Sequence, residues 1–283
     1  MSKQFMNTTI NINTERKHNF KKAKKFTLLV LGISWAIGFT MHATLKNSNI
    51  IFKVIFELSL AVMPAIIAFI LNKREGGNWA SLRFIKPSFK SIILAILIPL
   101  IYVIVDFYLQ IHLGIRTSPD WSVFGSTLKL FATLTVGFIV MVILVMGEEI
   151  GWRGYLQEKL FSAFGELKGV FLLGIIWGIW HLPIAINGYL FPNYPYIEAF
   201  VTYPLACIAF SLIIAYIGFN RYSIFIAAVL HAANNHFKAS LIATTEVIDE
   251  FNYMLISNFI CVDLILIFGL LYWKKLKTNT KNT

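Results

Sequence analysis

Two adjacent carboxylates at the end of an apolar stretch are the first sign of chemistry in this sequence. Glu148 and Glu149 follow the run MVILVMG, and Arg153 comes four residues after Glu149. A charge at the centre of a membrane helix costs roughly 2.5–3.5 kcal/mol, so such residues usually face a bundle interior or a water-filled cavity. On a helix, Glu149 and Arg153 share a face and can form an ion pair. Glu148 lies about 100° around the helix and needs a different partner.

Two histidines in other apolar stretches are candidates for that partner. His181 follows Trp177 by four residues in WGIWHLP, and Asn235 follows His231 by four residues in LHAANNHF. Each of these pairs therefore occupies one face of a helix. At a rise of about 1.5 Å per residue, Glu148 and both histidines are predicted to lie between the midplane and the cytoplasmic surface. At that shared depth they could line one cavity that opens toward the cytoplasm.

The chemistry that these residue types support is hydrolysis. A glutamate in a low-dielectric cavity suits a general base that acts near neutral pH, and a neutral His181 could hold a water against Glu148. His231 and Asn235, one turn apart, could donate hydrogen bonds to a tetrahedral oxyanion. No serine or cysteine stands with these groups in a nucleophile motif, so the sequence does not indicate a covalent acyl-enzyme.

Structural roles are the competing interpretation for several of these residues. A single intramembrane histidine often makes only an interhelical hydrogen bond, and a Glu149–Arg153 pair most often fixes a helix end. A structural role is favoured for Asp106 and Asp263. Lys53 and Glu57 suggest a snorkelling pair without chemistry. Asn234 and His236 adjoin Asn235 but lie on other faces of the helix.

Composition identifies the class of protein. Of 283 residues, 57% are hydrophobic and 14% are charged, whereas about a quarter are charged in soluble domains. Several apolar runs reach the ~20 residues that span a bilayer, which predicts an all-α polytopic membrane protein. The net charge of +11 is explained by membrane topology rather than by nucleic-acid binding. Cys207 and Cys261 lie in apolar runs and indicate buried thiols, without a disulfide or metal spacing.

The apolar runs predict one transmembrane domain over residues 26–273, between cytoplasmic tails at 1–25 and 274–283. Its motifs fall within residues 140–240, and spans 4–7 are predicted to form the catalytic core bundle. An amphipathic pattern over 155–164 indicates a short interfacial helix between spans 4 and 5. The eight predicted spans are 26–43, 50–71, 91–109, 128–150, 170–186, 200–219, 224–237 and 256–273.

The basic residues support this topology. With the N-terminus in the cytoplasm, 20 of the 25 Lys and Arg residues fall on the inner side, as the positive-inside rule expects. An even number of spans then places both termini in the cytoplasm. The sequence therefore predicts a multi-pass protein of the cell membrane.

The three motifs together resemble those of the CPBP intramembrane proteases, a family that includes type II CAAX prenyl endopeptidases and the bacterial Abi and bacteriocin-immunity proteins. The family's glutamate pair and arginine are matched by Glu148, Glu149 and Arg153. Its aromatic–histidine motif usually begins with phenylalanine, and here Trp177 stands in that place. Its histidine–asparagine motif is matched at residues 231 and 235.

The resemblance implies specific roles for these residues. Glu148 and His181 would activate water, and His231 and Asn235 would form the oxyanion site, with no cofactor and no metal. The predicted function is that of a glutamate-dependent intramembrane endopeptidase with eight spans. Its partners would be membrane lipids and a peptide or protein substrate, with or without a lipid group. Peptide processing and self-immunity to bacteriocins are the biological roles that the family suggests.

Three other functions remain open from the sequence. A zinc metalloprotease could use His181, His231 and a glutamate as ligands, although no HExxH motif is present. A membrane scaffold or immunity protein could keep the motifs for folding alone. A proton-coupled transporter is less favoured, because neither an inverted repeat nor a pair of broken helices is evident. The sequence leaves the substrate, the cleavage position and the oligomeric state open.

Overall fold

The structure, a computed structural model, describes the backbone of residues 2–44, 50–219 and 221–282, and side chains within 13–40, 58–219 and 221–279. It is 82% helical, and its described part contains no strand. The one β-bridge recorded there joins Arg116 to Val247 in two connecting segments. The predicted all-α fold is therefore confirmed.

Eight helices of at least 15 residues form the described part of the bundle. They are α1 (Ser2–Thr44), α2 (Ile50–Arg74), α3 (Phe89–His112), α4 (Thr127–Phe164), α5 (Glu166–Trp180), α6 (Pro195–Ile217), α7 (Ile224–Ile242) and α8 (Glu250–Asn282).

Five of these helices are long and apolar enough to cross a membrane: α3, α4, α6, α8 and the Asn13–Thr40 part of α1. At 15 residues, α5 is shorter than a usual span, and α7 carries two histidines, two asparagines and a lysine. Only part of α2 has described side chains. The polytopic membrane class is confirmed, while the number of eight spans stays a prediction.

Two helix boundaries differ from the predicted ones, one at the start of α1 and one at the end of α4. The helix α1 begins at Ser2, so the basic segment before residue 26 is helical, and Asn19 Nδ2 donates to Ser162 Oγ at 2.8 Å. The interfacial helix predicted over 155–164 is the last part of α4 rather than a separate element. It ends at Gly165, whose φ of +83° favours glycine. The side chains of Lys53 and Glu57 lie outside the described residues.

The described connections meet alternately at two ends of the bundle. At one end, the segment after α2 contacts the start of α7, where Ile224 N donates to Arg83 O at 3.2 Å. At the other end, the segment after α3 pairs with the segment after α7, where Thr117 N donates to Glu246 O at 3.0 Å. We call the first the basic end, because Lys73 and Arg74 close α2 there, and the second the opposite end.

A carboxylate at the basic end joins three helices. Glu75 lies 2.9 Å from Lys22 of α1 and 3.6 Å from Lys159 of α4, and Tyr155 donates a hydrogen bond to it. Burial raises the pKa of Glu75, but the hydrogen bonds from Tyr155 and Lys22 and the nearby lysine charges outweigh that effect, so the pKa lies below its ordinary value. This charged contact holds α1 and α2 against the end of α4.

Two glycines of α5 bring it unusually close to α6. A Cβ at Gly174 would lie 2.5 Å from Ile208 Cα, and a Cβ at Gly178 would lie 2.5 Å from Pro204 Cα. Glycines four residues apart allow membrane helices to pack backbone against backbone. This contact fixes the end of α5, where Trp177 and His181 lie.

Candidate active site

The two glutamates lie where α4 changes its geometry. The α-helical part Phe138–Glu149 passes into a π turn over Ile150–Leu156. Such turns are frequent at functional sites. Glu148 is 9% exposed and Glu149 is fully buried, so both carboxylates point into the bundle rather than toward lipid.

Glu149 is bound by two nitrogen-containing side chains. Arg153 Nη1 lies 2.9 Å from Glu149 Oε2, and His231 Nδ1 lies 2.9 Å from Glu149 Oε1. Arg153 also donates from Nη2 to Ser211 Oγ of α6 at 3.1 Å. The ion pair predicted from the spacing of four residues is present. The contact between Glu149 and His231 of α7 could not be predicted from spacing, because these two residues are far apart in the chain.

Glu148 has a different environment. Its Oε2 accepts a hydrogen bond from Trp177 Nε1 at 3.0 Å. No ion pair to Glu148 occurs within the described side chains, whereas its neighbour Glu149 has two charged or chargeable partners. Of the two carboxylates, Glu148 therefore has the fewer polar partners among the described side chains.

Trp177 is the side chain that the other groups surround. The Arg153 guanidinium lies 4.2 Å from the centroid of the Trp177 ring, and the rings of His231 and His181 lie at 5.1 and 6.0 Å. The motif predicts only a large ring at Trp177 in place of phenylalanine, and the hydrogen bond from Trp177 to Glu148 was missed. The signal was available, because a buried tryptophan N–H usually finds an acceptor.

His181 lies at the end of a helix rather than inside one. The predicted span over 170–186 is interrupted, because Pro183 has no N–H for the carbonyl of Ile179 and instead starts the short helix Leu182–Ala185. His181 Nδ1 lies 2.9 Å from the carbonyl oxygen of Trp177. Since a carbonyl only accepts, Nδ1 carries the proton and Nε2 is left as an acceptor. Tyr203 stacks on the imidazole at 4.4 Å.

Asn235 lies one turn beyond His231 on α7 and is held by two residues outside the motifs. Its Oδ1 accepts from Asn234 Nδ2 at 2.8 Å, and Asn234 Oδ1 accepts from the Tyr102 hydroxyl at 2.5 Å. The sequence marks Asn234 only as a flanking residue, and its contact with Tyr102 was missed. Direct contacts thus connect six of the seven predicted site residues: Glu148, Glu149, Arg153, Trp177, His181 and His231. Asn235 is placed beside them by the helix.

The other polar residues of the apolar stretches lie elsewhere. His236 packs against Gly137 and Phe138 of α4 and is 7% exposed. Asp263 lies on an exposed face of α8. Neither residue contacts the six connected side chains through any bond within the described residues.

Asp106 belongs to a second buried polar group, which we call the opposite-end cluster: Asp106, Gln110, Arg116 and Thr245. Gln110 Nε2 donates to Asp106 Oδ1 at 2.5 Å, and Arg116 Nε donates to Gln110 Oε1 at 2.7 Å. Arg116 Nη1 reaches Thr245 Oγ1 at 3.2 Å. The favoured structural role for Asp106 agrees with these contacts.

Potential metal ligands do not converge in the described part of the chain, where no three His, Cys, Asp or Glu side chains are placed to hold one ion. Cys207 lies near the site, with its Sγ 3.9 Å from His181 Nδ1. That same nitrogen faces the carbonyl of Trp177, so the pair offers a hydrogen-bonding contact rather than a set of ligands.

Comparison with known proteins agrees with the motifs. The family model for Type II CAAX prenyl endopeptidase Rce1-like proteins matches residues 128–237, a range that contains all seven predicted site residues. The chain is also similar to CAAX prenyl protease 2 of Methanococcus maripaludis, with 25% identity over 247 residues that cover 81% of this chain and 87% of that protein. The chain is a multi-pass membrane protein, and both matches are to proteins of the CAAX protease type, in agreement with the resemblance that the three motifs carry.

Proposed function

We propose that this protein is an intramembrane endopeptidase in which Glu148 activates the attacking water. The observation that carries the proposal is the contrast within the glutamate pair. Glu149 is bound by Arg153 and His231, whereas Glu148 accepts one hydrogen bond, from Trp177, and faces the same group of side chains. The family match and the CAAX protease relative support an endopeptidase.

Water activation would use the two acceptors on this side of the site. Glu148 would take a proton from the water, and His181 Nε2 would accept the other water hydrogen, because Nδ1 of that ring is committed to the Trp177 carbonyl. The resulting hydroxide attacks the scissile carbonyl carbon. Glu148 then gives the proton to the departing amine nitrogen, so the proton balance closes without a further acid.

The oxyanion would be stabilised from α7. His231 donates from Nδ1 to Glu149, so its Nε2 can donate to an oxyanion only when the ring is an imidazolium. Asn235 supplies the second donor through Nδ2. In this mechanism Arg153 and Glu149 do not touch the substrate but hold His231 in place.

The substrate class follows from the relatives and remains a proposal. CAAX-type peptides, with or without a prenyl group, are the first substrates to examine, because the similar protein of Methanococcus maripaludis is named as a CAAX prenyl protease. We further propose that the protein lies in the cell membrane with both termini in the cytoplasm, and that substrates reach the site from that side. A role in bacteriocin self-immunity is a second candidate, drawn from the family.

The test is cleavage of fluorogenic CAAX peptides, prenylated and unmodified, by the purified protein in detergent. We expect Glu148→Gln to lower kcat by roughly 10²–10⁴-fold, the range for a lost general base, with an unchanged elution profile and thermal unfolding midpoint. Glu158→Gln is the matched control, because Glu158 is also on α4 but pairs with Arg83 at 3.1 Å where both side chains are partly exposed. The control should retain activity within about twofold.

The same assay separates the competing functions. Under the glutamate mechanism, EDTA should leave the rate unchanged, whereas inhibition reversed only by zinc would favour a metalloprotease that uses His181 and His231. A cellular phenotype that survives Glu148→Gln, with no cleavage by the wild-type protein, would favour a binding or scaffold role.

A further inference from the structure

We propose that Tyr102 and Asn234 are positioning residues that hold the Asn235 amide with its NH₂ group toward the substrate. The inference rests on the proposed function, because it concerns the oxyanion site of that reaction. It adds two residues that lie outside the three family motifs, one of them on a different helix. The inference explains why the Asn235 amide is oriented with its oxygen toward Asn234.

The geometry is a chain of two hydrogen bonds that runs from α3 to the site. The Tyr102 hydroxyl donates to Asn234 Oδ1 at 2.5 Å, and Asn234 Nδ2 donates to Asn235 Oδ1 at 2.8 Å. In both bonds the donor lies on the side away from the site. Asn235 Nδ2 makes no hydrogen bond to any described residue, so it is the donor left at the end of the chain.

This direction matters because an asparagine amide has two opposite ends. Its NH₂ group stabilises an oxyanion, whereas its carbonyl oxygen in the same place would repel one. An asparagine without a fixed partner can turn over at little cost. Here Tyr102 engages the oxygen of Asn234, which turns the Asn234 NH₂ toward Asn235 and thereby engages the oxygen of Asn235 in turn.

A purely structural role is the competing interpretation, because α3 packs along α7 and a partly buried hydrogen bond between them would add stability alone. The two interpretations differ in which quantity changes. A positioning role predicts a loss in kcat that depends on Asn235, whereas a structural role predicts a loss of stability that does not depend on it.

The test is a double-mutant cycle of Tyr102→Phe and Asn235→Ala in the peptide-cleavage assay. Removing an oxyanion donor outright costs about 10²–10³-fold in kcat, so we expect that order of loss for Asn235→Ala. For Tyr102→Phe, which leaves the donor present but unfixed, we expect about a tenfold loss in kcat with KM unchanged. In the Asn235→Ala background, Tyr102→Phe should change kcat by less than twofold.

A matched control and a reversed amide sharpen the test. Tyr108→Phe removes a hydroxyl from the same helix at an exposed position and should leave kcat unchanged. Asn234→Asp can only accept, so it should turn the Asn235 amide over and lower kcat at least as much as Asn234→Ala. A Tyr102→Phe loss that appears in KM, or that persists in full without Asn235, would overturn the positioning role.

A second measurement does not require turnover and separates failure of this inference from failure of the proposed function. In protein labelled with ¹⁵N at asparagine side chains, Asn235→Ala identifies the Asn235 amide resonances. Tyr102→Phe should shift the side-chain amide resonances of both Asn234 and Asn235. An unmoved Asn235 resonance would overturn the inference even if the wild-type protein cleaved no peptide.

Discussion

The candidate active site and the opposite-end cluster both bury an arginine among polar groups, yet they differ in the other side chains that surround it. Arg153 is 2% exposed and Arg116 is 3% exposed. Arg116 binds Gln110 and Thr245, and Gln110 binds Asp106, a set without histidine. The candidate active site adds two imidazoles and a second carboxylate, Glu148, which accepts a hydrogen bond from Trp177 and has no ion pair among the described side chains. Asp106 is likewise a buried carboxylate without an ion pair among the described side chains. The feature that distinguishes the candidate active site is therefore the presence of histidines beside its carboxylates.

The contacts around the opposite-end cluster indicate its structural purpose. Arg116 and Val247 form a β-bridge, and Ile248 N donates to Ile115 O at 2.8 Å. The Arg116 guanidinium also lies 4.2 Å from the centroid of the Tyr253 ring. These bonds fasten the segment after α3 to the segment after α7 and to α8, and they involve no residue of the proposed reaction.

The largest effect expected from this comparison is that of Arg153→Met. The change leaves the fully buried Glu149 with only His231 as a partner, and removing one member of a buried ion pair costs about 3–5 kcal/mol. We expect a lower thermal unfolding midpoint in detergent and a loss of activity, because His231 loses its fixed neighbour. Both quantities can be measured on one purified sample.

The control for Arg153→Met is Arg83→Met. Arg83 also pairs with a glutamate of α4, at 3.1 Å, but the two side chains are 34% and 48% exposed. Exposed pairs contribute about 0–1 kcal/mol, so the midpoint should hardly move. Equal destabilisation by the two changes would contradict the buried character of the Glu149–Arg153 pair.

Arg116→Met should separate stability from activity. Hydrogen bonds to charged groups contribute about 1.5–3 kcal/mol, and we expect a loss of stability in that range. The kcat of the protein that remains folded should stay within twofold of the wild-type value. A tenfold fall in kcat at unchanged stability would mean that the opposite-end cluster takes part in catalysis and that the contrast drawn above is wrong.

The smallest effect concerns Trp177→Phe, which keeps a ring beside His181 and removes the N–H that binds Glu148. We expect about a tenfold fall in kcat, equivalent to about 1.4 kcal/mol, because the Glu148 carboxylate loses the hydrogen bond that orients it within the described structure. Trp152→Phe is the matched control, since its buried N–H has no hydrogen-bond partner in the described structure. If both changes alter kcat equally, the Trp177 hydrogen bond has no special role.

Features that depend on residues close together in the chain were predicted correctly from the sequence. The spacing of four residues gave the Glu149–Arg153 pair, and the apolar runs gave the membrane class and the approximate helices. The end of α5 at His181 was missed, although Pro183 signalled it, because an apolar run was read as an unbroken span. The Tyr102–Asn234 bond joins residues 132 positions apart, and the contact of His231 with Glu149 joins residues 82 apart. Such pairings depend on how the helices pack, and the spacing of residues along the chain carries no information about that packing.

The Glu149–Arg153 pair has a consequence for how the protein is made. A membrane helix enters the bilayer before its neighbours surround it, so any charge that it carries must be tolerated at that stage. Both charges of the pair lie one turn apart on α4. Arg153 can therefore neutralise Glu149 while the helix is inserted, before α7 supplies His231. Among the described side chains, Glu148 has no ion pair with a residue of α4. During biogenesis its carboxylate therefore lacks the Trp177 hydrogen bond until α5 has packed against α4.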